Sequence, residues 1–284
     1  MTEAARRLAR TAAEWAGTER VRAGGWNVRY RRAGEGPVIV LVHGLGCSAD
    51  YWWRNGPALA AAGYTVYAPD LPGFGRTDGP RTGLSVVQQA RALEIWADAM
   101  ALPPAAYVGH SLSCQTALEL AATAPARVTA LLLAAPTGDR RKRRWLREAV
   151  GFVKDTVREP LSLVPIIADA YVRAGVVRWA RTWMAGKHHD TFAAAGRVRA
   201  PALVLVGDAD PVVSVPFAAA VADTLPNGRM EVVPGAAHAI IYDAADAFNQ
   251  SIARFLASVG MAPAGDGIPP RVMPDAELPR VMLP

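Results

Sequence analysis

Segments of strand character alternate with segments of helical character along most of the 284 residues, and no other feature constrains the fold as strongly. Apolar or β-branched runs at Trp26–Arg32, Pro37–His43, Tyr64–Asp70, Ala106–Gly109, Thr129–Ala135, Ala202–Gly207 and Met230–Val233 predict strands. Helical patterns lie between them, over 57–62, 85–101, 112–124, 216–224 and 244–258. Strands separated by helices imply an α/β fold, a mostly parallel central sheet flanked by helices. Between 137 and 198 the alternation stops, and the segment reads as a helical cap inserted over that sheet. The expected organisation is an N-terminal helical extension over 1–24, a core over 25–136 and 199–258, the cap over 137–198, and a proline-rich tail over 259–284. That tail repeats Pro-Arg-Val-Met at 270–273 and 279–282 and reads as extended and loose.

Composition narrows the class. With 51% hydrophobic and 20% charged residues the chain can build a sizeable core, which excludes intrinsic disorder. No run approaches the ~18 apolar residues of a membrane-spanning helix, and the N-terminus lacks the pattern of a secretory signal. Two cysteines, Cys47 and Cys114, are too few for a disulfide framework or a Cys-rich zinc site, and no metal is expected from five histidines. His188 and His189 are adjacent, so on a helix they point about 100° apart and do not share an ion. A reducing cytoplasm is the natural compartment. The net charge is +6, and one dense run, Arg140–Arg144, stands out. No nucleic-acid module accompanies it, so it reads as a solvated helical face rather than a nucleic-acid contact. The segment Arg140–Val153 is expected to turn its apolar residues towards a cleft. A small molecule is the expected partner, and the chain a monomer or homodimer.

The segment Gly109-His110-Ser111-Leu112-Ser113 follows a short apolar strand and opens a helix. A tight turn there lifts the Ser111 hydroxyl above the carboxyl edge of the sheet and aims a helix N-terminus at any negative charge formed beside it. A serine hydroxyl needs a base and a group to orient that base. Carboxylates follow the strand ending at Gly207, in Gly207-Asp208-Ala209-Asp210-Pro211. A histidine follows the next strand, in Pro234-Gly235-Ala236-Ala237-His238. All three loops fall at one edge of a parallel sheet.

In the order Ser111, Asp210, His238 the chain resembles the α/β-hydrolase fold superfamily, especially its capped, esterase-like members, over about residues 25–258. The resemblance implies that Ser111 attacks an acyl carbon, His238 is its base, and Asp210, with Asp208 and Asp139 as lesser choices, orients the imidazole. His43-Gly44-Leu45-Gly46 is similar to the family's oxyanion loop, which makes the Leu45 and Leu112 amides the expected donors to the oxyanion. Trp52 and Trp53 begin the following helix and are candidates to line an acyl pocket, core packing being the plainer alternative. His43 and His110 read as structural. Ser113 stands where the elbow usually has glycine, and Thr77 stands where serine is usual in the turn Asp70–Thr77. No cofactor is implied. The activity implied is hydrolysis of small to medium uncharged carboxylic esters. Carbon–carbon bond hydrolysis, thioesterase or cyclase action and haloperoxidase-like action are alternatives on the same residues. A remote alternative is a dinucleotide-binding oxidoreductase, because Gly44–Ala49 fits G-x-G-x-x-A and Asp70 lies where a ribose-binding acid would sit.

Overall fold

The computed structural model describes residues 2–139, 162–265 and 267–272. Eight strands form one sheet: β1 (Glu19–Ala23), β2 (Trp26–Ala33), β3 (Val38–Val42), β4 (Thr65–Pro69), β5 (Ala105–His110), β6 (Val128–Ala134), β7 (Ala202–Gly207) and β8 (Gly228–Val233). Their order is β1-β2-β4-β3-β5-β6-β7-β8. The β1–β2 and β2–β4 pairs are antiparallel and every pair from β4 to β8 is parallel.

The apolar runs form central strands because both of their faces are covered. Val40, Val42, Tyr107, Leu131, Leu133, Val204 and Val206 point to one face of the sheet, and Ile39, Leu41, Val108, Leu132, Leu203 and Leu205 to the other. The helices α3 (Val86–Ala99) and α4 (Ser113–Thr123) pack on the first face, and α2 (Gly56–Ala61) packs on the second. Helix α3 starts at a capping box in which Ser85 and Gln88 satisfy each other's backbone amides. Between β6 and β7 come α5 (Val164–Ala174), α6 (Val176–His188) and α7 (Thr191–Ala195). The chain closes with α8 (Val215–Thr224), α9 (Ile240–Asp243) and α10 (Ala245–Ser258). The basic helix expected over 140–153 lies outside the described residues.

Two expectations about the outer parts change. The segment 1–24 is more than a helical extension: α1 (Glu3–Ala16) is followed by strand β1, joined to β2 by Gly24-Gly25. Both glycines have positive φ, 55° and 87°, as a two-residue hairpin turn that follows the strand twist requires. Helix α1 is also built into the core, since Trp15 is fully buried and lies so close to Gly56 that a Cβ there would be 2.4 Å from the ring. Thr11 ties it to the start of α2 by donating to the Pro57 carbonyl at 2.8 Å. The tail is not loose up to Val272, whose amide donates to Asp246 at 2.7 Å and whose side chain packs with Leu8, Ala58 and Ala61. An apolar residue is thereby removed from water, which an extended, solvated tail does not achieve.

Candidate active site

The site lies at the carboxyl ends of β3, β5, β7 and β8, beside the point where chain order reverses between β4 and β5, as open α/β sheets favour. Ser111 follows β5 directly and has φ +57°, one of three positive-φ residues other than glycine among those described. That strained turn is held by the Ser111 amide donating to Ala134 O at 2.8 Å. Gly109 is forced by the same turn, because a Cβ would come within 2.7 Å of the Ser113 carbonyl oxygen. Ser113, in the usual glycine position, accepts from the His110 amide at 2.9 Å and lies 2.6 Å from the Val42 carbonyl. Its hydroxyl thus fastens the elbow to β3 rather than facing the cleft.

Three sequence-selected side chains meet here. The Ser111 hydroxyl donates to His238 Nε2 at 2.9 Å, and His238 Nδ1–H donates to Asp210 Oδ2 at 3.0 Å. The other Asp210 oxygen accepts from the amides of Val212 and Val213 at 2.7 and 2.8 Å. Burial pushes the Asp210 carboxyl up, but His238 and the two amides outweigh it and hold the group below its ordinary value. Asp208 is turned away and accepts from the Gly235 amide at 2.6 Å. Asp139 is buried at the exit of β6.

The proposed oxyanion donors also converge. Leu45 and Leu112 line one cleft with Ser111, and neither amide has an acceptor among the described residues. The loop carrying Leu45 is braced by His43, whose Nδ1–H donates to Gly44 O at 2.9 Å and whose Nε2 accepts from the Leu71 amide at 3.0 Å. Burial lowers the His43 pKa, which keeps this bridge neutral. His110 does comparable work behind His238: its Nε2–H donates to the His238 carbonyl at 2.8 Å. Burial, followed by the nearby His238, pushes His110 down to about 3. Asp243, which no sequence motif marks, accepts from the Ala237 amide at 2.8 Å and secures the same loop.

The tryptophan pair is a correction. Trp52 is fully buried with its ring 6.3 Å from Phe248 of α10, and Trp53 is buried beside Leu8, Ala12 and Val272. Both lie away from the cleft because α1, α10 and the tail cover that side of the sheet. The tryptophan at the cleft is Trp183 of α6, joined by Gln115, Thr137 and Lys187. No local motif marked these four, since they are gathered from separate segments. The dinucleotide alternative also loses its acid. Asp70 is fully buried, pairs with Arg29 at 3.1 Å, and accepts from the Ala49 and Arg76 amides at 2.6 and 2.8 Å. No oxygen of it is left for a ribose. Among the described residues no three His, Cys, Asp or Glu side chains are placed to hold a metal ion. His189 instead meets Glu119 at 2.8 Å, while His188 meets the Met184 carbonyl at 2.7 Å. No described helix is long and apolar enough to cross a membrane.

A mostly parallel sheet with a serine on a left-handed strand-to-helix turn, and a carboxylate and a histidine on later loops, has the architecture of an α/β hydrolase. The chain belongs to the α/β-hydrolase fold family, whose profile matches residues 37–194; a second profile, for TAP-like proteins, matches 167–268. Over 160 residues the chain is 36% identical to the dihydrolipoyllysine-residue acetyltransferase component of an acetoin cleaving system from Cupriavidus necator, covering 54% of this chain and 40% of that protein. The first curated relatives are therefore much longer than the stretch they share with it. A 2-hydroxy-6-oxo-6-phenylhexa-2,4-dienoate hydrolase from Burkholderia cepacia is 25% identical over 82% of this chain and 92% of its own length. The crystal structure of a bacterial membrane phospholipase A shares the fold with a TM-score of 0.78 at 23% identity, covering 90% of this chain and 92% of that one.

Proposed function

We propose that the chain is a serine hydrolase that cleaves carboxylic esters of small to medium, uncharged substrates through an acyl-serine intermediate. The observation that carries this reading is the continuous line of hydrogen bonds from Ser111 through His238 to Asp210, at 2.9 and 3.0 Å. In it, His238 Nε2 takes the Ser111 proton as Oγ attacks the ester carbonyl carbon. The tetrahedral oxyanion accepts from the Leu45 and Leu112 amides, neither of which has an acceptor among the described residues. Collapse breaks the carbon–oxygen bond to the alcohol, and the alkoxide leaves with the proton from His238. Water then attacks the acyl-serine while His238 again takes a proton, and the acid departs. Asp210 holds the imidazole in the tautomer that leaves Nε2 free to accept, and stabilises the imidazolium.

In this reading 137–198 is the cap, and Trp183 and Lys187 of α6 bound the substrate. Cys47 and Cys114 are both buried, and a reducing cytoplasm is the compartment of this reading. The likeness to the dienoate hydrolase favours a second reading, carbon–carbon bond cleavage by the same three residues. The test is turnover of p-nitrophenyl esters from acetate to palmitate by wild type and Ser111→Ala. The ester reading expects chain-length-dependent activity that falls by ~10⁶ in the variant. Equal rates in the two proteins would remove Ser111, and no ester turnover beside turnover of a dienoate substrate would favour the second reading.

A further inference from the structure

Gln115, four residues beyond Ser111 on α4, is 1% exposed and lines the cleft. Its amide is clamped between backbones from two other segments. A Cβ on Gly138, after β6, would lie 2.6 Å from Nε2, and one on Gly186, in α6, would lie 3.2 Å from Oε1. Gly138 itself has φ +116°. Two glycines thus leave room for this side chain and fix where its amide sits. Yet Gln115 Oε1 has no donor among the described residues. Beside the same Cβ position of Gly138, at 2.2 Å, is the buried Thr191 hydroxyl, which also has no partner among the described residues. A buried acceptor without a donor is costly, and one that lines a cleft can be met by a group of whatever binds there.

We propose that Gln115 is the specificity residue of the cleft and that its Oε1 accepts a hydrogen bond from a hydroxyl on the acyl chain, making hydroxyacyl esters the preferred substrates. The proposal rests on Ser111 being the nucleophile. The chemistry of the lining selects the hydroxyl. A carboxylate has no proton to give to Oε1, and an uncharged hydroxyl donates without bringing a charge between the apolar walls. Leu45, Leu112 and Trp183 supply the apolar walls for the remaining carbons.

The experiment compares kcat/KM for p-nitrophenyl 3-hydroxybutyrate and p-nitrophenyl butyrate in wild type, Gln115→Met and Gln115→Glu, with circular dichroism confirming that each is folded. Because the readout is a ratio within one protein, a general loss of activity cancels. Wild type is expected to favour the hydroxy ester by about tenfold or more, since an unmet buried acceptor penalises the plain ester. The preference is expected to collapse towards unity in Gln115→Met and to persist in Gln115→Glu, which keeps an acceptor. A wild-type ratio of one or less, or a ratio unchanged in Gln115→Met, overturns the assignment. If wild type hydrolyses neither ester, the ester reading fails by itself and binding decides the role of Gln115. Saturation-transfer NMR on Ser111→Ala would then show 3-hydroxybutyramide bound in preference to butyramide, the preference vanishing when Gln115→Met is added. Equal signals, or none, would overturn it.

Discussion

Asp210→Asn isolates what the carboxylate contributes beyond its shape. In the wild type one oxygen accepts two amides, from Val212 and Val213, and the other accepts His238 Nδ1–H. An asparagine has a single acceptor oxygen. The two amides are fixed donors, so that oxygen turns to them and the NH₂ group faces His238. A donor opposite Nδ1 forces the imidazole into the tautomer with its proton on Nε2, and that nitrogen can no longer take a proton from Ser111. Two effects combine: the base is in the wrong tautomer, and the imidazolium formed during attack loses its counter-charge. The corresponding substitution in serine proteases, a worked case for this triad, lowers kcat by about 10⁴. At about 1.36 kcal/mol per tenfold that is roughly 5 kcal/mol of lost transition-state stabilisation. The assay is kcat and KM for a short p-nitrophenyl ester, with Tm recorded alongside. The expected result is a fall of about 10³–10⁴ in kcat with KM little changed. A loss below tenfold in a protein that melts normally would refute the reasoning and leave another carboxylate, Asp208 or Asp139, to be tested as the orienting group.

Other consequences follow from groups around the site. Ser113→Ala leaves the His110 amide and the Val42 carbonyl without the hydroxyl that joins them, at a cost of about 1–3 kcal/mol; Tm should fall by about 2–4 °C for each kcal/mol. Asp70→Ala takes from Arg29, 1% exposed, one of its two carboxylates, leaving Asp50 at 2.5 Å, and strips the Ala49 and Arg76 amides of their acceptor; urea unfolding should show a loss of about 3–5 kcal/mol. His110 titrates near 3 in the fold, against about 6.5 unfolded. The unfolded chain therefore takes up a proton first as pH falls, so stability is complete above about 6.5 and declines towards 3, with a slope of at most about 1.4 kcal/mol per pH unit from this group. His43, also held neutral by burial, acts in the same direction. Denaturant titrations at pH 7, 6 and 5 should show the decline, and His110→Phe should flatten it; a stability independent of pH over that range would contradict the burial argument.

The parallel core was legible because its strands are apolar on both faces, so each appears as a continuous run bounded by turn residues. The Ser111, Asp210 and His238 loops were legible for a related reason, since each begins where such a run stops. Strand β1 (Glu-Arg-Val-Arg-Ala) was not, because it lies at the edge of the sheet and only Ala23 is buried, which leaves no alternation to detect. Its only mark was the glycine pair of the hairpin turn. Trp52 and Trp53 could not be placed from the sequence. Their surroundings are supplied by Phe248, Leu8 and Val272, the first and last of them about 200 residues further along the chain. Gln115 escaped notice for the same physical reason: a helical glutamine becomes a cleft residue only when Gly138 and Gly186 close on it. Contacts between distant segments decide such positions, whereas the elbow and its loops are decided by local chain geometry.

The central claim is that Ser111 becomes covalently acylated. Peptide mapping by mass spectrometry after acid quenching of the reaction with p-nitrophenyl butyrate, repeated with phenylmethylsulfonyl fluoride, tests it most directly. The expected result is a butyryl or sulfonyl mass increment confined to the peptide containing Ser111, absent from Ser111→Ala, and with the sulfonyl increment greatly slowed in His238→Ala. Turnover of the ester without any adduct on Ser111, or an adduct on a different residue such as Ser113, would contradict the account.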